Sequence, residues 1–178
     1  NMNYPRLQTS TVVSMVLFLS IITASHNLFG QEKIFEIFHY GMSSEAALET
    51  YKTNKKAFKS ISLGDGTSYT LRRFSLVMQD DKLQYIMLWS KKNLTLATAE
   101  KYLENTKKHL EGKKYKLVYA QKNWSKPLLQ EKNKPYLRWV NEDKTILAEM
   151  EPRGHGGTYS VFIAFYPHDW FLKKARGK

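Results

Sequence analysis

Residues 12–22, Val-Val-Ser-Met-Val-Leu-Phe-Leu-Ser-Ile-Ile, form an eleven-residue run without a charge, and this run limits what the rest of the chain can be. A transmembrane helix needs about 20 apolar residues, whereas the hydrophobic part of a secretory signal needs about 7–15. Arg6 precedes the run, and the small and polar stretch Thr23–Gly30 follows it. Residues 1–30 therefore read as a cleavable secretory signal, cut after Gly30 or, alternatively, after Ser25. Residues 31–178 are then the mature domain, exported to a periplasm or the extracellular space. No transmembrane helix is expected in it.

The chain contains no cysteine. In an exported domain this leaves the hydrophobic core to hold the fold without disulfides. It also excludes thiolate metal sites, a cysteine nucleophile and a lipidated N-terminal cysteine. An apolar content of 42% with 13% aromatics is enough for such a core and too rich for a disordered chain.

Periodicity places the elements. Ser43 or Ser44 caps a helix running to about Lys59, with Ala47, Leu48, Tyr51, Phe58 and Ile61 on one face. Phe74, Leu76 and Met78 alternate and lead through Gln79–Lys82 to Leu83–Trp89, the pattern of a β-hairpin. Thr95 or Thr98 opens a second helix whose buried stripe is Leu96, Ala99, Leu103 and Leu110, with Gly112 at its stop position. Four strands follow, over Tyr115–Tyr119, Tyr136–Val140, Thr145–Met150 and Tyr159–Tyr166, with a turn at Gly154–Gly157. Ile34–Phe38 reads either as a first strand or as the lead into a helix. The expected class is α+β: a two-layer domain, two helices packed on one face of a mainly antiparallel meandering β-sheet, ending in a short basic–aromatic tail over 167–178.

The charge of +12 is uneven. Residues 31–90 carry eight basic and seven acidic groups, net +1, while residues 91–178 carry nineteen and nine, net +10. In that second half lysines and arginines are interspersed with tyrosine and tryptophan, a mixture that suits a polyanion: cations attract it and ring faces stack on it. The candidate binding residues are Lys114, Lys116, Arg138, Trp139, Trp170, Lys173 and Lys174. Lys122, Trp124, Lys126, Lys132 and Lys134 extend the same pattern. The bland alternative is that the lysines solvate one sheet face while the aromatics fill the core.

Catalytic motifs are absent from the sequence. There is no G-x-S-x-G elbow, no S-x-x-K and no phosphate loop, and His39, His109, His155 and His168 stand far apart without metal-ligand spacing. No metal and no cofactor is implied. The reading is a non-catalytic binding domain for an anionic envelope lipid, a polysaccharide or an acidic protein, with nucleic acid ranked last because an exported chain rarely meets it. The alternatives are an enzyme whose site joins His155 or His168 to Glu149, Glu151 or Asp169, and a structural subunit of an envelope assembly.

Overall fold

The computed structural model describes residues 32–121 and 136–177. The segment over 1–30 read as a signal and the cations between Lys122 and Lys134 lie outside the described residues. The elements are β1 (Lys33–Phe35), β2 (Phe38–His39), α1 (Ser44–Thr53), β3 (Thr70–Gln79), β4 (Lys82–Trp89), α2 (Leu96–Gly112), β5 (Lys116–Ala120), β6 (Leu137–Val140), β7 (Ile146–His155), β8 (Thr158–Pro167) and α3 (His168–Arg176). β3 to β8 form one sheet in the order β3-β4-β8-β7-β6-β5 with every pair antiparallel, and β1 and β2 form a small hairpin. The α+β architecture expected from the sequence is the one observed.

Local chemistry sets the turns. Asp80 and Asp81 join β3 to β4 with φ of 50° and 58°, the left-handed pair that a two-residue hairpin turn requires and that a short polar side chain tolerates. Gly156 and Gly157 do the same between β7 and β8, at φ 58° and 82°. The strand pairing therefore runs through Gly154 and His155 up to His155 opposite Thr158, and the turn is two residues rather than the four expected from composition. Between β6 and β7, the Asn141 side chain accepts a 2.7 Å hydrogen bond from the Ile146 amide.

The helices begin where the caps predict. The Ser43 hydroxyl accepts from the Ala46 amide, and the Thr95 hydroxyl from the Thr98 amide. The first helix is shorter than its apolar stripe suggested. Asn54 donates its side-chain amide to the Thr50 carbonyl at 2.9 Å and ends α1. A separate 3₁₀ turn at Ala57–Lys59 then aims Phe58 at Phe38 and Tyr51. Gly64 shows how closely the following loop meets α2: at φ +111°, a Cβ there would stand 2.3 Å from the Asn105 carbonyl oxygen. Beside it, Tyr69 and Thr106 share a buried 2.8 Å hydrogen bond, and burial holds the Tyr69 phenol well above its usual value.

The register sorts the sheet into two faces. Ile86, Phe165, Ala148 and Trp139 share one row, and Leu88, Ile163, Met150 and Leu137 the next. These belong to the main core, which α1, α2 and the β1–β2 hairpin cover through Ala47, Ala99, Leu103, Leu110, Ile34 and Phe38. Within the tail read at 167–178, His168–Arg176 is a fourth element of cover. It forms α3, which packs on the opposite face, where Trp170 and Phe171 meet Tyr166.

Candidate functional site

The face beneath α3 is built by alternation. Arg138 and Trp139 are neighbours in sequence and so point to opposite sides of β6. Cross-strand register continues each side: Lys116, Val140, Leu147 and Tyr166 form one row on the α3 side, Tyr119, Arg138, Glu149, Ala164 and Met87 the next, and Glu151, Phe162 and Trp89 a third. This face carries charge and rings together. Glu149 and Glu151 are only 9% and 4% exposed.

Each buried carboxylate has an arginine. Arg138 Nε lies 2.6 Å from Glu149 Oε2, and Arg153 Nε lies 3.2 Å from Glu151 Oε1. The guanidinium groups also stack. Arg138 sits over Tyr119 at 5.3 Å and Phe171 at 5.2 Å, and Arg153 over Phe162 at 4.5 Å and Trp89 at 5.7 Å. Arg72 stands 5.7 Å from the Phe74 ring, which itself meets Trp89 edge to face. A flat, weakly hydrated guanidinium is suited to this double role of ion pair and ring partner.

Tyrosine chemistry follows from the same crowding. Burial pushes the Tyr166 phenol far above its ordinary value, reinforced by Glu149, Tyr85 and Glu151 and opposed by Arg138. Tyr85, against both Tyr166 and Trp170, is raised by burial and then by Glu149. Both rings stay neutral hydrogen-bonding groups across the physiological range.

Of the residues singled out from the sequence, five share this side of the sheet. Lys116 is exposed on β5, Arg138 is half-buried on β6, and α3 supplies Trp170, Lys173 and Lys174. Trp170 stacks on Tyr166 with the rings 9° from parallel, and the Lys174 ammonium lies 5.8 Å from the Trp170 ring. Lys114 lies apart, in the turn after α2 at φ 64°, paired with Glu142 at 3.3 Å across an exposed edge. Trp139 is a correction. It is fully buried on the core face between Leu117 and Ala148, with no hydrogen-bond partner for its indole N–H among the described residues, and it has no surface to offer a ligand.

Arg72, Arg153, Tyr85 and Tyr166 were missed by searching for lysine-rich stretches, and Glu149 and Glu151 entered only as acids of an alternative enzyme site. The available signal was the spacing Glu149, Glu151, Arg153, two residues apart, which places three charged groups on one face of a strand. The side chain of His155 lies outside the described residues. His168 Nδ1 contacts the Lys144 carbonyl at 3.0 Å, and both glutamates face arginines. Among the described residues no three His, Asp or Glu side chains gather at metal-binding distance, and no helix is long and apolar enough to cross a membrane. Comparison with protein-family models, curated proteins and solved structures finds no match to this chain.

Proposed function

We propose that the protein is a non-catalytic binding domain, exported by the signal read at residues 1–30, that uses the α3 side of its sheet to contact an anionic envelope lipid, polysaccharide or acidic protein. The observation that carries this reading is the stacking of Arg72, Arg138, Arg153 and Lys174 on aromatic rings, with Lys116 and Lys173 exposed on the same side. Arg138 and Arg153 are held by carboxylates and rings, so they give the face its shape. The lysines of β5 and α3 supply the charge that an anion meets.

The test uses vesicles of phosphatidylglycerol against vesicles of phosphatidylcholine, with a sulfated polysaccharide resin in parallel. Binding to an anionic probe should weaken steeply between low and physiological salt, because exposed charges are screened over about 8–10 Å. The triple variant K116Q/K173Q/K174Q should lose at least about tenfold in affinity, close to 1.4 kcal/mol, without a change in melting temperature. Binding that ignores salt, or that the triple variant keeps in full, would remove the proposal.

A further inference from the structure

On the side of the sheet that α1 and α2 cover, β1, the loop over 61–63, the end of α2 and the turn between β6 and β7 line a pocket of about 460 Å³. Its floor is apolar. Leu63, Leu110, Ile146 and Phe165 are buried there, and the Phe35 ring lies 4.9 Å from that of Phe165. Its rim carries Lys33, Glu36, His109, Lys113 and Tyr115. A concave apolar site of a few hundred Å³ with a small number of polar groups at its edge is the usual form of a small-ligand site.

The charges at the rim do not cancel. His109 and Lys113 are four residues apart at the end of α2 and share one side of it, while Lys33 comes from β1. Neither ammonium has an ion-pair partner among the described residues, and the acids around them are engaged elsewhere: Glu111 pairs with Lys107 at 3.0 Å, Glu142 with Lys114 at 3.3 Å, and Asp143 accepts a 3.0 Å hydrogen bond from Thr145. Glu32 lies by Asp143, Asp169 and His168. Glu36 is the one carboxylate of the lining, against two ammonium groups. The last carbonyls of α2, at its negative end, are taken by the amides of Lys113, Lys114 and Tyr115. The Tyr115 hydroxyl and the His109 ring make no hydrogen bond to a described residue. Burial and then Lys113 hold the His109 imidazole below its usual value, and burial and then Asp143 hold the Tyr115 phenol above its own, so both are neutral polar groups at the rim.

We propose that this pocket binds a small amphipathic anion, with an apolar body seated over Phe35 and Phe165 and a single acidic head met by Lys33 and Lys113. The buried floor sets the nature of the body, and the excess of ammonium groups over Glu36 sets the sign of the head. No lining residue belongs to the face beneath α3, so the inference stands independently of the anion-binding reading of that face.

Decanoate is the probe, with decanol and acetate as controls that lack the head or the body. Titration calorimetry of the purified protein should show one decanoate site in the micromolar range, with both controls at least about tenfold weaker. The double variant K33Q/K113Q changes two exposed side chains, and it should weaken decanoate binding by at least about tenfold without lowering the melting temperature. An acidic head at this rim also favours the protonated imidazole, so saturating decanoate should raise the pKa of His109, followed through its ring protons by NMR. That readout uses the unaltered protein and decides the matter even if the double variant fails to fold. No binding at millimolar decanoate would overturn the proposal, and so would binding that decanol matches, that K33Q/K113Q keeps in full, or that leaves the His109 titration where it was.

Discussion

On the side that α1 and α2 cover, row after row of the sheet is aliphatic or aromatic: Ile86, Phe165, Ala148 and Trp139, then Leu88, Ile163, Met150 and Leu137. One residue further along each strand, the opposite side buries Glu149 and Glu151 and stacks arginines on rings. Both sides exclude water, but the first does so by removing apolar surface, and the second by pairing groups that would each be costly to bury alone. The first kind of face tolerates swaps that conserve volume. The second fails when one partner is taken and the other left behind.

The largest expected effect breaks the apolar side. Trp139→Ala, at a fully buried site, should cost about 3–5 kcal/mol in denaturant unfolding. Trp170→Ala on the α3 side should cost about 1–2 kcal/mol, since only a half-exposed stacked ring is lost. Equal losses would mean that the two sides are alike. Trp139→Phe should retain much of the stability lost in the alanine variant, because it also removes an N–H left without a partner among the described residues.

Removing one charge of a pair is the next step down. Glu149→Ala leaves the Arg138 guanidinium under Phe171 without its carboxylate and should cost about 2–3 kcal/mol, less than a fully buried pair because Arg138 keeps some access to water. The double variant R138M/E149L should recover most of that loss. A double variant as unstable as Glu149→Ala would show that the pair itself, and not the stranded charge, is what matters.

A smaller effect appears with pH. Burial raises the folded-state values of Tyr166 and Tyr69, so above about pH 10 the unfolded chain loses phenolic protons that the folded protein keeps. Stability is then full below that pH and falls above it by about 1.4 kcal/mol per pH unit for each such tyrosine. Tyr166→Phe should remove one proton's worth of that slope on the α3 side, and Tyr69→Phe another beneath α2. Alkaline melting curves with unchanged slopes would contradict both assignments.

The smallest effect lies at the rim, where neither kind of burial acts. Lys114→Gly should stabilise by up to about 1 kcal/mol, because glycine relieves the left-handed backbone at φ 64° and the exposed pair with Glu142 contributes little. A fall in melting temperature would give that ion pair more weight than its exposure allows.

The elements were legible because local rules wrote them. Ser43 and Thr95 cap as expected, and the alternation from Phe74 to Trp89 returns as β3 and β4. The end of α1 was misread because the apolar stripe continues through Phe58, which the 3₁₀ turn buries by another route. The proposed binding face was only half legible. Lysine-rich stretches drew attention to Lys116, Lys173 and Lys174, but whether a residue of β6 faces inward or outward depends on its register with β7, and register is a tertiary property. Trp139 was therefore grouped with Arg138 among the candidate binding residues, and it lies buried on the opposite face of β6. Arg153 escaped because the rings that stack on it come from β4 and β8, distant in sequence.

The place of β8 governs how the molecule is made. This next-to-last element lies between β4 and β7, and its pairings with Ile86, Met87, Leu88 and Trp89 are the bond between the first hairpin and the later meander. Without β8, β3–β4 and β5–β6–β7 are two separate half-sheets, each with an edge that β8 occupies in the finished sheet. Closing them needs contacts between distant parts of the chain, the kind that form slowly. A truncation before Thr158 would leave β3–β4 and β5–β6–β7 without the strand that joins them.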